Sequence, residues 1–314
     1  RTRPGHELRT KGDSHVRFVL RKVLYLILVV IGVTFLTYNM LSLLPGDTAD
    51  AVCGISCDDA ARQQVRDQLG LDRPPVLRYV TWAGNAVKGD LGQSARSKQS
   101  VTEALGQRLP VTIELLIYAE FIALVVAIPA GLLAAARQGG IFDRTSTASA
   151  FFLLSIPPFV LGLVLSLVFA VNLKWFPATG YTPMTESIPQ NLRSFFLPSL
   201  TIAVAELAVY MRLLRSDLIS TLQEDYITMA KAKGLPPHKI MLKHAFRPST
   251  FSLITIGGLN VGRLIGGTII VEVMFALNGL GKYLIDGILG RDYIPVLGAV
   301  LVVAVGYVLI NFAV

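Results

Sequence analysis

Only two of the 314 residues are cysteine, four are histidine, and 16% carry a charge. Each shortage excludes something. A soluble domain usually carries about 25% charged residues, so 16% with a mean hydropathy of +0.57 does not describe an ordinary cytosolic enzyme. His6, His15, His238 and His244 all fall outside the long apolar stretches, as do Cys53 and Cys57. An enzyme embedded in a membrane needs a nucleophile with its base, or metal ligands, inside such stretches. No catalytic residue and no metal site is therefore expected. The pattern G-x-x-x-x-G-K-[ST] is also missing: Gly281-Lys282 is followed by Tyr283, and the earlier glycine position holds Ala276. The chain has no phosphate loop with which to cradle ATP.

What the sequence has in quantity is apolar length. A bilayer core about 30 Å thick is crossed by ~20 mostly apolar helical residues. Six stretches qualify: Val23 to Leu44, Val111 to Ala136, Ser146 to Leu173, Leu197 to Leu214, Phe251 to Phe275, and Ile294 to Val314. The first is too long for a signal peptide and runs into Leu44-Pro45-Gly46-Asp47 instead of a small-residue cleavage site, so it reads as a retained anchor. The chain begins without Met and stops inside an apolar run, so both natural ends are expected to lie beyond it. The domain plan is an amino-terminal tail over residues 1–22 and a transmembrane domain over 23–314.

Six spans place both ends on one side, and the Lys/Arg bias chooses the side. The tail, the loop Arg137 to Thr145 and the segment Arg212 to Thr250 together hold 16 Lys and Arg against six acids. The opposite loops hold 12 against 11. The first side is therefore cytoplasmic. This asymmetry also accounts for the formal charge of +8 and the isoelectric point near 9.6. No interleaving of basic and aromatic residues points to nucleic acid.

The outer loop, residues 45–110, is long enough for a small helical subdomain. Val65 and Leu69 are at helical spacing, and Gly70, Pro74 and Pro75 end that helix. Val76 to Val87 forms a second candidate helix. Cys53 and Cys57, spaced C-x3-C in this loop, can be a disulfide or remain thiols, and the absence of an outer histidine disfavours metal. On the inner side, residues 212–250, Leu214, Leu218 and Leu222 recur every four residues, so the fourth span continues as a helix beyond the membrane. Tyr226 to Lys233 is a short helix stopped by Gly234, Pro236 and Pro237. A basic amphipathic stretch, His238 to Arg247, then leads to Pro248. Read from periodicity alone, the segment is either a short exposed helix held between two spans or a solvated basic loop.

These residues carry a resemblance. Asp225-Tyr226-Ile227-Thr228-Met229-Ala230-Lys231-Ala232-Lys233-Gly234, followed by His244-Ala245-Phe246-Arg247, resembles the coupling segment of the inner-membrane permeases of bacterial ABC importers for dipeptides and oligopeptides. Similar pieces cover nearly the whole chain. They are Leu44-Pro45-Gly46-Asp47, Leu69-Gly70-Leu71-Asp72, Gly89-Asp90-Leu91-Gly92, Arg108-Leu109-Pro110, Ser155-Ile156-Pro157-Pro158-Phe159, Gly266-Gly267-Thr268 with Val271-Glu272, Gly279-Leu280-Gly281 and Arg291-Asp292-Tyr293. Their order is similar to that of the first, B-type, permease subunit. The general importer motif has Glu-Ala-Ala where this chain has Thr228, Met229 and Ala230, so only Ala230 and Gly234 carry over.

The resemblance implies an all-α membrane protein of the type I importer permease fold, multi-pass in the bacterial inner membrane, with no cofactor of its own. It implies a second homologous permease, two ATP-binding subunits or domains that bind ATP and Mg, an extracytoplasmic binding protein and a peptide substrate. Coupling to the ATPases would run through Asp225, Tyr226, Met229, Ala230, Lys231, Ala232, Lys233 and Gly234. The small Ala230, Ala232 and Gly234 would allow a close seat in a groove, where Lys231 and Lys233 meet acids. The same architecture serves nickel chelate, glutathione or haem as alternative cargo. A self-contained secondary transporter or channel is a distant alternative, because the long outer loop has no counterpart in the second half.

Five ionisable residues fall within the apolar stretches: Glu114, Glu120, Glu206, Arg263 and Glu272. Such residues are costly in a bilayer and mark functional positions by default. Glu114, Glu206, Arg263 and Glu272 are candidates for a translocation path that receives a peptide's charged ends. The competing readings are snorkelling or interface pairing for Glu114, Glu120 and Glu272, and a Glu206–Arg263 pair. Gly258, Gly262 and Gly266, spaced by four, suit close helix packing, against the paired permease above all. Pro157-Pro158 is expected to break or kink the third span.

Overall fold

The computed structural model describes residues 6–42, 48–53 and 58–314, and every regular element among them is a helix. They are α1 (His6–Ser42), α2 (Thr48–Cys53), α3 (Asp59–Leu69), α4 (Pro75–Val87), α5 (Val101–Ala136), α6 (Ile141–Ser155) and α7 (Pro158–Leu165). There follow α8 (Ile188–Thr221), α9 (Asp225–Ala232), α10 (Pro237–Lys239), α11 (Phe246–Gly267), α12 (Ile269–Met274), α13 (Leu280–Leu289) and α14 (Tyr293–Ala313). Helix α7 winds on as a π-helix over Ser166–Asn172, and a second π segment, Ile240–Ala245, joins α10 to α11. The chain divides into two compact units, residues 1–107 with 283–313, and residues 108–282 with Val314.

In the first unit α1 and α14 pack antiparallel. Leu41 meets Tyr293 and Val296 at one end, and the Lys22 ammonium sits 4.2 Å from the centre of the Phe312 ring at the other. Tyr38, Tyr79, Trp82 and Leu297 form the core between these helices and α4. Local chemistry sets the ends of α3. The Asp58 carboxylate accepts from the Ala61 N–H at 2.8 Å, and Gly70 takes the left-handed conformation at φ 61°. Outside the membrane, the Arg66 guanidinium holds the Asp72 carboxyl below the usual carboxylate range, with Gln63 adding a further hydrogen bond.

The second unit is built around α8. Phe195, Leu197, Ala203, Ala208, Tyr210, Leu214 and Leu218 are all fully buried along it, and α6, α7 and α11 pack against it. A helix packed by neighbours on several sides sits inside a bundle. Close approach of α5 occurs at Gly131, where a Cβ would stand 3.2 Å from the Met211 carbonyl. At the head of α6, Asp143 reaches back to the Gly139 N–H at 2.9 Å and forms a bidentate pair with Arg215 of α8.

The helices differ from the expected spans in two respects. Among the described residues, four helices are long and apolar enough to cross a membrane: Leu20–Leu41 of α1, α5, α8 and α14. A fifth is counted if α6 and α7, bent by 100° at Pro157-Pro158, are one broken span. Proline at a helix start lacks the N–H that would continue the previous ladder. The predicted span Phe251 to Phe275 is instead divided at Thr268 between α11 and α12, and Asn260 and Arg263 interrupt its apolar run. The second difference is at the end of the outer loop, expected over residues 45–110. Helix α5 begins at Val101 and runs through both Pro110 and Pro129. Pro248 lies three residues into α11, directly after the π segment Ile240–Ala245, within a continuous helical run.

Candidate functional site

Helix α9 is rooted on one face and open on the other. Ile227 and Ala230, three residues apart and so on one face, pack with Leu214, Leu218, Ile240 and Ala245. Asp225 lies in the first turn and Lys231 in the last, which matches the helix dipole. Gly234 ends the helix at φ 73° and donates to the Lys231 carbonyl at 2.9 Å, while the Leu235 N–H reaches the Ala230 carbonyl at 3.3 Å. The flanks are tied down. Helix α8 runs to Thr221, whose hydroxyl lies 3.3 Å from that of Ser249 in α11, and the Tyr226 hydroxyl donates to the His244 carbonyl at 3.4 Å. Tyr226, Met229 (60% exposed), Lys231, Ala232 and Lys233 face outward. This corrects the reading of the small residues: Ala230 is only 7% exposed and seats α9 on its own chain, so it is not part of the outward face.

A polar cluster lies among α5, α8 and α11. Near the middle of α8, the buried Glu206 accepts from the Asn260 amide at 2.7 Å and from the Arg263 guanidinium at 3.1 Å. One turn along α8, the fully buried Tyr210 hydroxyl donates to Glu120 of α5 at 2.8 Å. The predicted Glu206–Arg263 pair is thus present. Its two members differ, because the Glu206 side chain is 4% exposed and the Arg263 side chain 67%. The cluster is anchored at its acidic end and open at its basic end. Asn260 and Tyr210 were not singled out from the sequence, although their spacing shows them: Tyr210 is four residues after Glu206, and Asn260 three before Arg263.

The other two path candidates sit differently. Glu272 is fully buried and is bound wholly by its own unit. Its carboxyl group accepts from Thr112 at 2.8 Å, Thr268 at 3.1 Å and the Lys282 N–H at 3.0 Å. The Thr112 hydroxyl in turn accepts from the Leu280 N–H at 2.8 Å. A Cβ at Gly279 would overlap the carboxyl group, and one at Gly281 would stand 3.0 Å from it and 2.7 Å from the Ile269 Cα. Three sequence pieces that looked separate, Gly266-Gly267-Thr268, Val271-Glu272 and Gly279-Leu280-Gly281, therefore converge on one fastening. Glu114 is half-buried and accepts from Tyr118, whose hydroxyl also reaches Asn191.

A comparable fastening forms in the first unit. Asp292 accepts from the Ser94 hydroxyl at 2.6 Å and from the Ala95 and Arg96 N–H groups. Gly92, at φ 87°, lies so close to Ile294 that a Cβ would fall 2.9 Å from its methyl. The Gly89 to Gly92 and Arg291 to Tyr293 pieces meet here.

Of the three spaced glycines, Gly262 is buried, Gly258 abuts Val314, and a Cβ at Gly266 would meet nothing within 4 Å. They do not form one seam within the chain. Cys53 ends α2 half-buried, and Cys57 lies outside the described residues. Among the described residues no group of three or more His, Cys, Asp or Glu is placed to hold a metal ion.

Residues 127–314 match the family described as "Binding-protein-dependent transport system inner membrane component", and residues 15–116 match its amino-terminal companion. A putative peptide transport system permease protein of Brucella abortus is 36% identical over 93% of each chain. The oligopeptide transport system permease protein AppB of Bacillus subtilis is 35% identical over 94% of each. A probable peptide ABC transporter permease protein of Sinorhizobium fredii is 33% identical over 95% of each.

Proposed function

Because the chain belongs to the family of inner membrane components of binding-protein-dependent transport systems, we propose that it is the permease subunit of an ATP-driven importer of dipeptides or oligopeptides. It is a membrane component and not an enzyme. In this reading it crosses the bacterial inner membrane six times with both ends inside, α11 with α12 forming the fifth crossing. It works beside a second, homologous permease and receives peptide from an extracytoplasmic binding protein. Two partner ATPases bind ATP and Mg and drive alternating access.

The observation that carries the reading is the two-faced α9. Closure of an ATPase against Tyr226, Met229, Lys231 and Lys233 would be transmitted, because Ile227 and Ala230 lock the helix to α8 and to the start of α11. A contact moves a bundle only when the contacting element is rigidly joined to it. The path is proposed to pass the exposed Arg263, with Glu206 holding its guanidinium, Asn260 holding Glu206 in turn, and Glu114 further along the same unit; the buried Glu272 shapes the fold beside it. Gly266 and its neighbours on α11 are proposed to meet the second permease.

Met229→Arg tests the coupling without touching the buried face. Placing a charge in a docked contact should reduce peptide uptake at least about tenfold, equivalent to about 1.4 kcal/mol, and should abolish substrate-stimulated ATP hydrolysis at a normal level of chain in the membrane. Full uptake by this variant would refute the assignment.

A further inference from the structure

Glu114 of α5 is a half-buried carboxylate in the run Ile113, Leu115, Leu116 and Ile117. The described residues place no Lys, Arg or His in an ion pair with it. A charge inside an apolar stretch is costly, and it is retained where something meets it. Glu272 is met by at least three donors of its own unit and Glu206 by at least two. Among the described residues Glu114 has one, the Tyr118 hydroxyl at 3.3 Å.

Even that donor is shared. The Tyr118 hydroxyl carries a single proton, and a second acceptor, Asn191 Oδ1, lies nearer at 2.9 Å. Asn191 is fully buried and cannot turn its amide round, because its Nδ2 donates to the Thr182 carbonyl at 2.9 Å. Its Oδ1 therefore faces Tyr118 as an acceptor and takes the proton by the shorter bond. Glu114 is left with a long, shared contact on Oε1 and none on Oε2. Its surroundings are aromatic and negative. Tyr118 and Tyr181 each stand edge-on to the buried Phe195 ring with centres 5.7 Å apart. Burial, then the charges of Glu114 and Glu186, push the Tyr181 hydroxyl above its usual range, so both charges acting on that ring are anionic. Ile117, one turn along α5 from Glu114, is 59% exposed, and this side of the helix is open.

We propose that Glu114, framed by Tyr118 and Tyr181, receives the amino-terminal ammonium group of the peptide during transport, an inference that rests on the reading of the chain as a peptide permease. An ammonium group brings three donors and no acceptor, which matches a carboxylate whose acceptor capacity is unspent. Charge-assisted hydrogen bonds are the strong ones, and tyrosine rings attract a cation beside them. A carboxylate or a neutral acylated terminus finds no such match here. Asn191 is a positioning residue: by holding the Tyr118 proton it keeps Glu114 ready for an incoming donor.

The test uses the whole complex in proteoliposomes, with trialanine loaded on the binding protein and the ATPases halted by a non-hydrolysable ATP analogue. A water-soluble carbodiimide then joins any carboxylate to an amine in contact with it, and the products are mapped by mass spectrometry. Trialanine is expected to be joined to Glu114, and N-acetyltrialanine is not. Without the reagent, Glu114→Gln should lower trialanine uptake about tenfold, equivalent to about 1.4 kcal/mol, and Glu114→Asp should recover part of it, both at the wild-type level of assembled complex. The crosslink is read on the wild-type chain, so it stands even where the glutamine variant fails to fold. Capture of trialanine at other carboxylates alone, a link from Glu114 to a lysine of another subunit, or full uptake by Glu114→Gln overturns the inference while leaving a wild type that imports trialanine a peptide permease. A wild-type complex that imports no peptide overturns both.

Discussion

Replacing Thr112 by valine separates hydrogen bonding from hydrophobic burial in a region where the two predict opposite signs. The side chains are close in shape, and valine is the more apolar. On burial alone the variant should be neutral or stabilising. Thr112, however, donates to the Glu272 carboxyl at 2.8 Å and accepts from the Leu280 N–H at 2.8 Å. Valine leaves that buried N–H without its acceptor, and Glu272 keeps one hydroxyl donor, Thr268, on the same oxygen. An unsatisfied buried donor costs about 1–3 kcal/mol, so Thr112→Val should lower stability by about 2 kcal/mol. Thr112→Ser keeps both bonds and loses one methyl, worth ~0.8 kcal/mol. The ordering wild type, serine, valine is the prediction. It is measured as the loss of folded chain with temperature in detergent micelles, where the valine variant should melt on the order of 4 °C lower. A valine variant as stable as wild type, or more stable than the serine variant, would refute the role given to the Glu272 fastening.

Two further outcomes are expected. Glu206→Gln leaves the Arg263 guanidinium with a neutral partner, and uptake of peptides with a free amino terminus should fall several-fold while the response of the ATPases to α9 is retained; unchanged uptake of every peptide would remove Glu206 from the path. We also propose that the outer loop is oxidised, since Cys53 carries no free thiol and the chain's other cysteine is four residues on. A maleimide should label the denatured protein only after reduction, and labelling before reduction would exclude the bond.

The all-helical class, the break at Pro157-Pro158, the end of α3 and the short helix α9 were legible in the residues themselves, because each depends on local chemistry. Apolar length, Pro157-Pro158, Gly70 and Gly234 act on backbone within a few residues. Where individual helices begin and end was less legible. A composition window does not register that Thr268 ends α11, or that Pro110 and Pro129 are absorbed within α5. The site divided in the same way. Glu206 and Arg263 stood out as charges in an apolar run, but which of them is buried depends on how α8 lies against α11. Glu272 looked equally exposed to function, yet Thr112, Thr268 and the Lys282 N–H, brought from up to 160 residues away, enclose it.

Sequence alone therefore determined the solvent this chain folds in, its helical class and the position of its outward-facing helix, since those follow from transfer free energy and from local capping. Tertiary structure decided which polar residues are fastenings and which remain open. Burial and hydrogen-bond partners are properties of the packed helices, and residues as alike as Glu206 and Glu272 acquire different surroundings only when distant segments are brought against them.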